Sequence, residues 1–158
     1  MLQTYTYNST GFTLNTNDSV LFNVDVVDTD CRIDHQSGTT AIEIDKPGYY
    51  LISFNSFGYN TGAVVEGTPY TDTYTYQLFN KGVALQEAVA SASSTADTDV
   101  VNVSFSTILQ VRPSCQAVNN NAVLTVNYLG QVATGNLANL TIVKLRWDDG
   151  RILEVFAR

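Results

Sequence analysis

From Val100 to Val111 the chain alternates cleanly. Val101, Val103 and Phe105 stand against Asn102, Ser104 and Ser106. Successive side chains on an extended backbone point to opposite faces, so this pattern predicts a strand with one side in a core. Similar signals recur along the sequence. Val20 to Val24 is a short apolar run, and Ala41 to Asp45 alternates. Tyr49 to Tyr59 predicts a long strand with Tyr50, Ile52 and Phe54 on its inner side. Tyr74 to Asn80, Val123 to Leu129, Leu140 to Trp147 and a short Ile152 to Phe156 follow. Breakers separate these runs. Lys46-Pro47-Gly48, Lys81-Gly82, Arg112-Pro113-Ser114, Asn119-Asn120-Asn121 and Asp148-Asp149-Gly150 carry Pro, Gly or Asn, which preset or permit a reversal. Longer loops are expected over Asn60 to Thr73 and Gly130 to Asn136.

One stretch invites a helix: Gly82 to Ala96, GVALQEAVASASSTA. It lacks a sustained apolar stripe at helical spacing, and Ser93-Ser94-Thr95 dissolves its end. Read with period two, Val83, Leu85, Glu87, Val89 and Ser91 share a face, so a strand followed by a loop is expected. Roughly eight to ten strands, with turn signals about every 8–15 residues, predict an all-β antiparallel two-sheet sandwich or barrel. The expected organisation is an N-terminal arm over 1–19, one domain over 20–147, and a turn with a short strand over 148–158.

Composition sharpens this picture. Charged residues make up only 15% of 158, so Thr, Asn, Ser and Gln must supply much of the polar surface, a β-like choice. Net charge is −7, and the eight Lys and Arg are thinly spread. Nucleic-acid binding needs a basic stripe, so it is not expected. No run approaches the roughly 18 apolar residues of a membrane helix, so membrane insertion is not expected. Met1 to Phe12 has neither a basic nor an apolar signal region, and synthesis in a cytoplasm is expected.

Candidate chemistry is sparse. His35 is the single histidine, four residues after Cys31. On a strand the two would share a face, a conceivable nucleophile pair. The ordinary reading is a histidine at a loop or strand end in the Asp34–Gly38 turn. One His and two Cys barely reach a zinc set. Asp25, Asp28, Asp30 and Asp34 form one acidic cluster, Asp97 and Asp99 a second, Asp148-Asp149 a third. None forms a calcium loop; they read as solvated carboxylates, with calcium as the one cofactor to keep in view. No nucleophile elbow, phosphate loop or dinucleotide fingerprint occurs. No enzyme activity and no cofactor are expected. Cys31 and Cys115 read as two buried free thiols, with a single bridge as the alternative.

Four elements in order resemble the C1q/TNF-like superfamily. They are Phe22 with Asn23 followed by Asp34-His35-Gln36-Ser37-Gly38-Thr39; Pro47-Gly48-Tyr49-Tyr50-Leu51-Ile52-Ser53-Phe54; Gln77-Leu78-Phe79-Asn80-Lys81-Gly82, with one residue inserted before the Gly; and Ala138-Asn139-Leu140-Thr141-Ile142-Val143-Lys144-Leu145. They span roughly Val20 to Leu145. The phrases Arg32-Ile33-Asp34-His35 and Val103-Ser104-Phe105-Ser106-Thr107-Ile108 are most similar to TNF/C1q-like proteins of Gram-positive bacteria and their phages. Bacterial surface members usually carry collagen-like repeats before the domain, and this sequence shows none.

The resemblance implies a jelly roll and a homotrimer, with one sheet of each copy packed around a threefold axis. It implies a seam at Leu51, Ser53, Asn55, Phe57, Ser104 and Asn139. Tyr59, Asn60, Tyr70 and Tyr74, around the long Asn60–Thr73 loop, are ligand-loop candidates. Exposed Tyr with Asn and Thr suits glycan or protein contact, while cross-strand aromatic packing is the plainer reading. Tyr5 and Tyr7 of the arm, with Trp147, Ile152, Val155 and Phe156 of the tail, are candidates for docking on a larger support. The expected role is a structural, non-enzymatic module on a phage capsid or tail, made in the host cytoplasm and carried on the virion surface. The alternative is a glycan- or receptor-binding adhesion module on a phage, spore or bacterial surface.

Overall fold

A computed structural model of the chain describes residues 3–27, 33–59, 72–95, 100–112, 121–130, 133–145, 147–148 and 151–152. The alternating segments form two five-stranded antiparallel sheets. One has the order β2 (Val24–Val27), β1 (Gln3–Leu14), β10 (Ala133–Leu145), β5 (Gly48–Tyr59), β8 (Val101–Val111). We call it the front sheet. The back sheet has the order β3 (Ile33–His35), β4 (Ile42–Ile44), β9 (Ala122–Tyr128), β6 (Asp72–Asn80), β7 (Val83–Ser94). β11 (Trp147–Asp148) and β12 (Arg151–Ile152) form a separate two-residue ladder.

The inward side chains interdigitate as one core. Tyr7, Tyr50, Ile52, Phe54, Val103, Phe105, Leu140 and Ile142 come from the front; Ile33, Ile42, Ile44, Tyr74, Tyr76, Leu78, Leu124, Val126 and Tyr128 come from the back. Aromatic rings carry much of the contact. Phe54 stacks on Phe105 within its sheet at 5.2 Å and meets Tyr76 across the sandwich at 5.1 Å. Tyr76 in turn meets Tyr128 at 5.1 Å. Offset and tilted rings at such spacings add to the burial of a large apolar area.

Three expectations are corrected. The segment expected as an N-terminal arm is largely strand. Gln3–Leu14 is β1, paired with β10 along its length and with β2 on its other side. Polar Thr, Asn and Ser positions mask its alternation, because its outward positions Thr4, Thr6, Asn8 and Thr10 and its inward Ser9 are all uncharged polar residues. Gly11 is the extra residue between Thr10 and Phe12 in the pairing with β10, and its φ of +59° suits a residue without Cβ. The expected loop over Gly130 to Asn136 is shorter, since β10 already begins at Ala133.

The Gly82–Ala96 stretch is a strand, β7, but not on one continuous face. Leu85 packs against the core, and after the irregularity opposite Gln77 and Phe79 the inward set becomes Ala88, Ala90 and Ala92. A bulge shifts the alternation by one residue, so a single period cannot describe the strand. At the hairpin, Asn80 pairs with Val83 and leaves Lys81-Gly82 as a two-residue loop. Both have positive φ, +51° and +76°, as the twist of a tight hairpin requires.

Candidate functional site

The outward face of the front sheet brings all six seam candidates together. The registers of β10, β5 and β8 set side chains in rows across the sheet. Leu137, Phe57 and Asn102 form one row, and Asn139, Asn55 and Ser104 the next. Thr141, Ser53 and Ser106 form the third, and Val143, Leu51 and Ile108 the fourth. Two rows with apolar members therefore bracket two rows of small polar side chains. Several of these polar side chains bond within the sheet. Ser53 and Ser106 share a hydrogen bond of 3.0 Å, the Thr141 hydroxyl donates to Asn139 Oδ1 at 3.3 Å, and Thr6 reaches Thr141 at 3.4 Å. With their hydrogen bonds made within the sheet, these short side chains present a flat surface that another backbone can approach closely. At one end of the face Phe57 is 43% and Leu137 36% exposed. They border a groove of about 420 Å³ with Asn55, Asn102 and Asn139. Apolar groups beside a polar field make this face a candidate contact surface.

Other expected residues fall elsewhere. Tyr74 is not part of a contact tip: it is 2% exposed and packs against Tyr128. Tyr7 is not a docking residue: it is wholly buried and its ring lies 4.6 Å from the His35 ring. Both tyrosines sit on the inward side of their strands, where the core takes them. Tyr5 is described by its backbone, opposite Ile142, and Trp147 and Ile152 by theirs, opposite each other. Tyr59 is the last residue of β5. Asn60, Tyr70, Val155, Phe156, Cys31 and Cys115 lie outside the described residues.

His35 is a structural residue at the flank where β2 and β3 face each other. Its side chain is fully buried. Nδ1 lies 2.7 Å from Asp25 Oδ1 on β2, and Nε2 lies 3.4 Å from the Thr39 carbonyl. Tyr7 and Phe22 enclose the ring. The pair clips the two sheets together at one flank; β7 and β8 adjoin on the other. His35 ends β3 where the Asp34–Gly38 turn begins, as the strand-end reading expects, and its side chain points inward. Asp25 is thereby drawn out of the acidic cluster toward an imidazole. Among the described residues no group of three or more His, Cys, Asp or Glu gathers as metal ligands do.

Two antiparallel five-stranded sheets in this order make a TNF-like jelly roll. Similar solved structures are the Eiger TNF from S. frugiperda (TM-score 0.62, 11% identity, 96% of this chain and 99% of that one) and PRD1 vertex protein P5 (TM-score 0.60, 13% identity, 90% and 96%). Murine APRIL at pH 5.0 is a third (TM-score 0.56, 10% identity, 90% and 100%). No protein-family model matches the sequence. No curated protein matches it either. At these identities the shared property is the fold.

Proposed function

We propose that this chain is a non-enzymatic structural module of a phage virion surface, working as a homotrimer whose copies meet through the outward face of the front sheet. The observation that carries the reading is the banded face itself. Its centre is small, polar and partly hydrogen-bonded within the sheet, and its ends expose Phe57 and Leu137 on one side and Ile108, beside the half-buried Leu51, on the other. A second copy covers those ends with Ser53, Ser106, Thr141 and Asn139 already hydrogen-bonded within the sheet, which lowers the cost of burying the rows between them. The likeness to PRD1 vertex protein P5 supports a place on a phage particle, and the TNF-like neighbours support threefold association. No cofactor takes part in this reading.

Two measurements test it. Sedimentation at micromolar concentration should give about three chain masses, and a single chain mass there would remove the trimer. Quantitative mass spectrometry of purified virions should find the protein in copies divisible by three. Its absence from the particles would remove the virion role while leaving the trimer to stand on its own result.

A further inference from the structure

The rows of the front face continue onto its two edge strands, and the two edges differ. β8 bounds the sheet on one side and β2 on the other. Along the β8 edge the outward positions read Val100, Asn102, Ser104, Ser106, Ile108. Val100 directly precedes the strand and is 62% exposed, and Ile108 is 45% exposed. This edge is apolar at its ends and polar between them, as the face is. Asn102, next to Val100 on that side, shares the row of Phe57 and Leu137, and Ile108 shares the row of Leu51 and Val143. β2 has the opposite arrangement. Val24 lies opposite Asn8, in the row of Asn139 and Asn55, and Val27 lies opposite Thr6, in the row of Thr141 and Ser53. The exposed Val24 and Val26 are therefore level with the polar rows. β2 begins at the Asn8 row and does not reach the row of Phe57 and Leu137.

A threefold rotation selects between these edges. In a closed ring of three the contact is heterologous: one surface of each copy meets a different surface of the next. The bands of the face run across the strands. With the axis along the strands, rotation leaves every residue at its own height, so each row of the face meets only the same level of the neighbouring edge. The β8 edge then brings Val100 to the Phe57–Leu137 end, Ile108 to the Leu51–Val143 end, and Ser104 and Ser106 to the polar rows. The β2 edge would set its valines against Asn55, Asn139, Ser53 and Thr141 and bring nothing to Phe57 and Leu137. Apolar groups buried against polar side chains leave those side chains without water or a partner, which disfavours the second arrangement.

We infer that the β8 edge of one copy lies across the front face of the next, with Val100 seated in the Phe57–Leu137 groove and Ser104 hydrogen-bonded to Asn55. The inference rests on the threefold reading above and adds which edge meets the face and at what height. The groove of about 420 Å³ has room for a valine side chain and the strand end that carries it. Among the described residues the Asn55 amide and the Ser104 hydroxyl have no side-chain partner. Burial between copies calls for one, and each group can both donate and accept, so the shared level lets them pair. None of the positions named on either surface is charged. Two chains of net charge −7 therefore meet here without setting like charges in contact.

Disulfide cross-linking of the full-length protein tests this. Val100→Cys combined with Leu137→Cys should, on mild oxidation, give covalent dimers and trimers on a denaturing gel. Within one chain β5 lies between the two positions, which sets them about 10 Å apart, beyond the roughly 7 Å that a disulfide spans. A link between them therefore joins two copies. Val24→Cys combined with Leu137→Cys, separated by β1 in the same way, should stay unlinked. The unaltered protein, run alongside, shows any band owed to Cys31 and Cys115. In sedimentation, Val100→Asp should lose the assembled mass at a concentration where the unaltered protein and Val24→Asp keep it. Links formed by the Val24 pair, an unlinked Val100 pair, or an assembled mass retained by Val100→Asp would overturn the inference. An assembled mass for the unaltered protein would then leave the trimer standing with its contact elsewhere. A single chain mass for the unaltered protein would remove both.

Discussion

Tyr76 shows what a buried phenol does to the molecule. Burial raises its pKa above the ordinary 10.0, and the adjacent Ser56 hydroxyl offsets part of that rise. The two hydroxyls are within each other's reach but short of a well-formed hydrogen bond. A raised phenol pKa means the folded state holds its proton longer than the unfolded chain. The corresponding stability is complete below pH 10 and is lost as the pH climbs beyond it. Urea midpoints measured from pH 8 to pH 11 should fall at the alkaline end, and Tyr76→Phe should flatten that fall; an equally steep fall would place its cause in other groups. Gly130 is constrained differently. A methyl group there would run into the Thr73 carbonyl and the Tyr128 hydroxyl. Gly130→Ala should cost about 1–3 kcal/mol by overpacking, read as a lower urea midpoint. Neither property was legible in the sequence, because each depends on which strands come to lie beside the residue.

At the scale of elements, the long alternating runs declared themselves. β5, β6, β8 and β9 fall within a residue or two of their predicted spans, since Tyr50, Ile52, Phe54, Val103, Phe105, Leu124 and Val126 mark the buried side plainly. β1 did not. Its inward Tyr7 and Ser9 are separated by polar outward residues, and Gly11 breaks the period where a bulge lets the strand keep its pairing. β7 escaped in part for the same reason, with two phases in one strand. An arm could be removed at little cost, whereas β1 cannot. Deleting residues 1–14 takes away Tyr7 and Leu14 from the core and strips β10 and β2 of their common neighbour. The loss should be comparable with the whole stability of a domain, about 5 kcal/mol or more, and the deleted protein should lack a cooperative thermal transition. A sharp transition near that of the intact chain would show that β1 is dispensable.

For the molecule as a whole, the fold class was readable because strand spacing, breakers and the four resemblant elements agree. The candidate seam was readable in part. Alternation alone puts Leu51, Ser53, Asn55 and Phe57 on one side of β5, but the banding emerges only once the registers with β8 and β10 are known. The banded face makes a whole-molecule prediction. Ser53→Arg sets a long cation in the middle of the polar rows, next to Ser106 and Thr141. The single chain has room for it in solvent, so stability should change by less than about 0.5 kcal/mol. A packed neighbour has no room, so sedimentation should shift to the mass of one chain. A variant that keeps its assembled mass would move the contact to another surface.

The placement of β1 also bears on how the protein is made. Thr6 meets Thr141 across 135 positions of sequence. A ribosome releasing this chain exposes β1 well before its partner β10, so the β1–β10 ladder of the front sheet cannot close until the strands between them have emerged. Closure over so long a loop is intrinsically slow. The β1 edge that β10 covers must wait unsatisfied, and crowding nascent chains on one message should raise the yield of aggregates more than it does for a protein whose strands all pair with near neighbours in sequence.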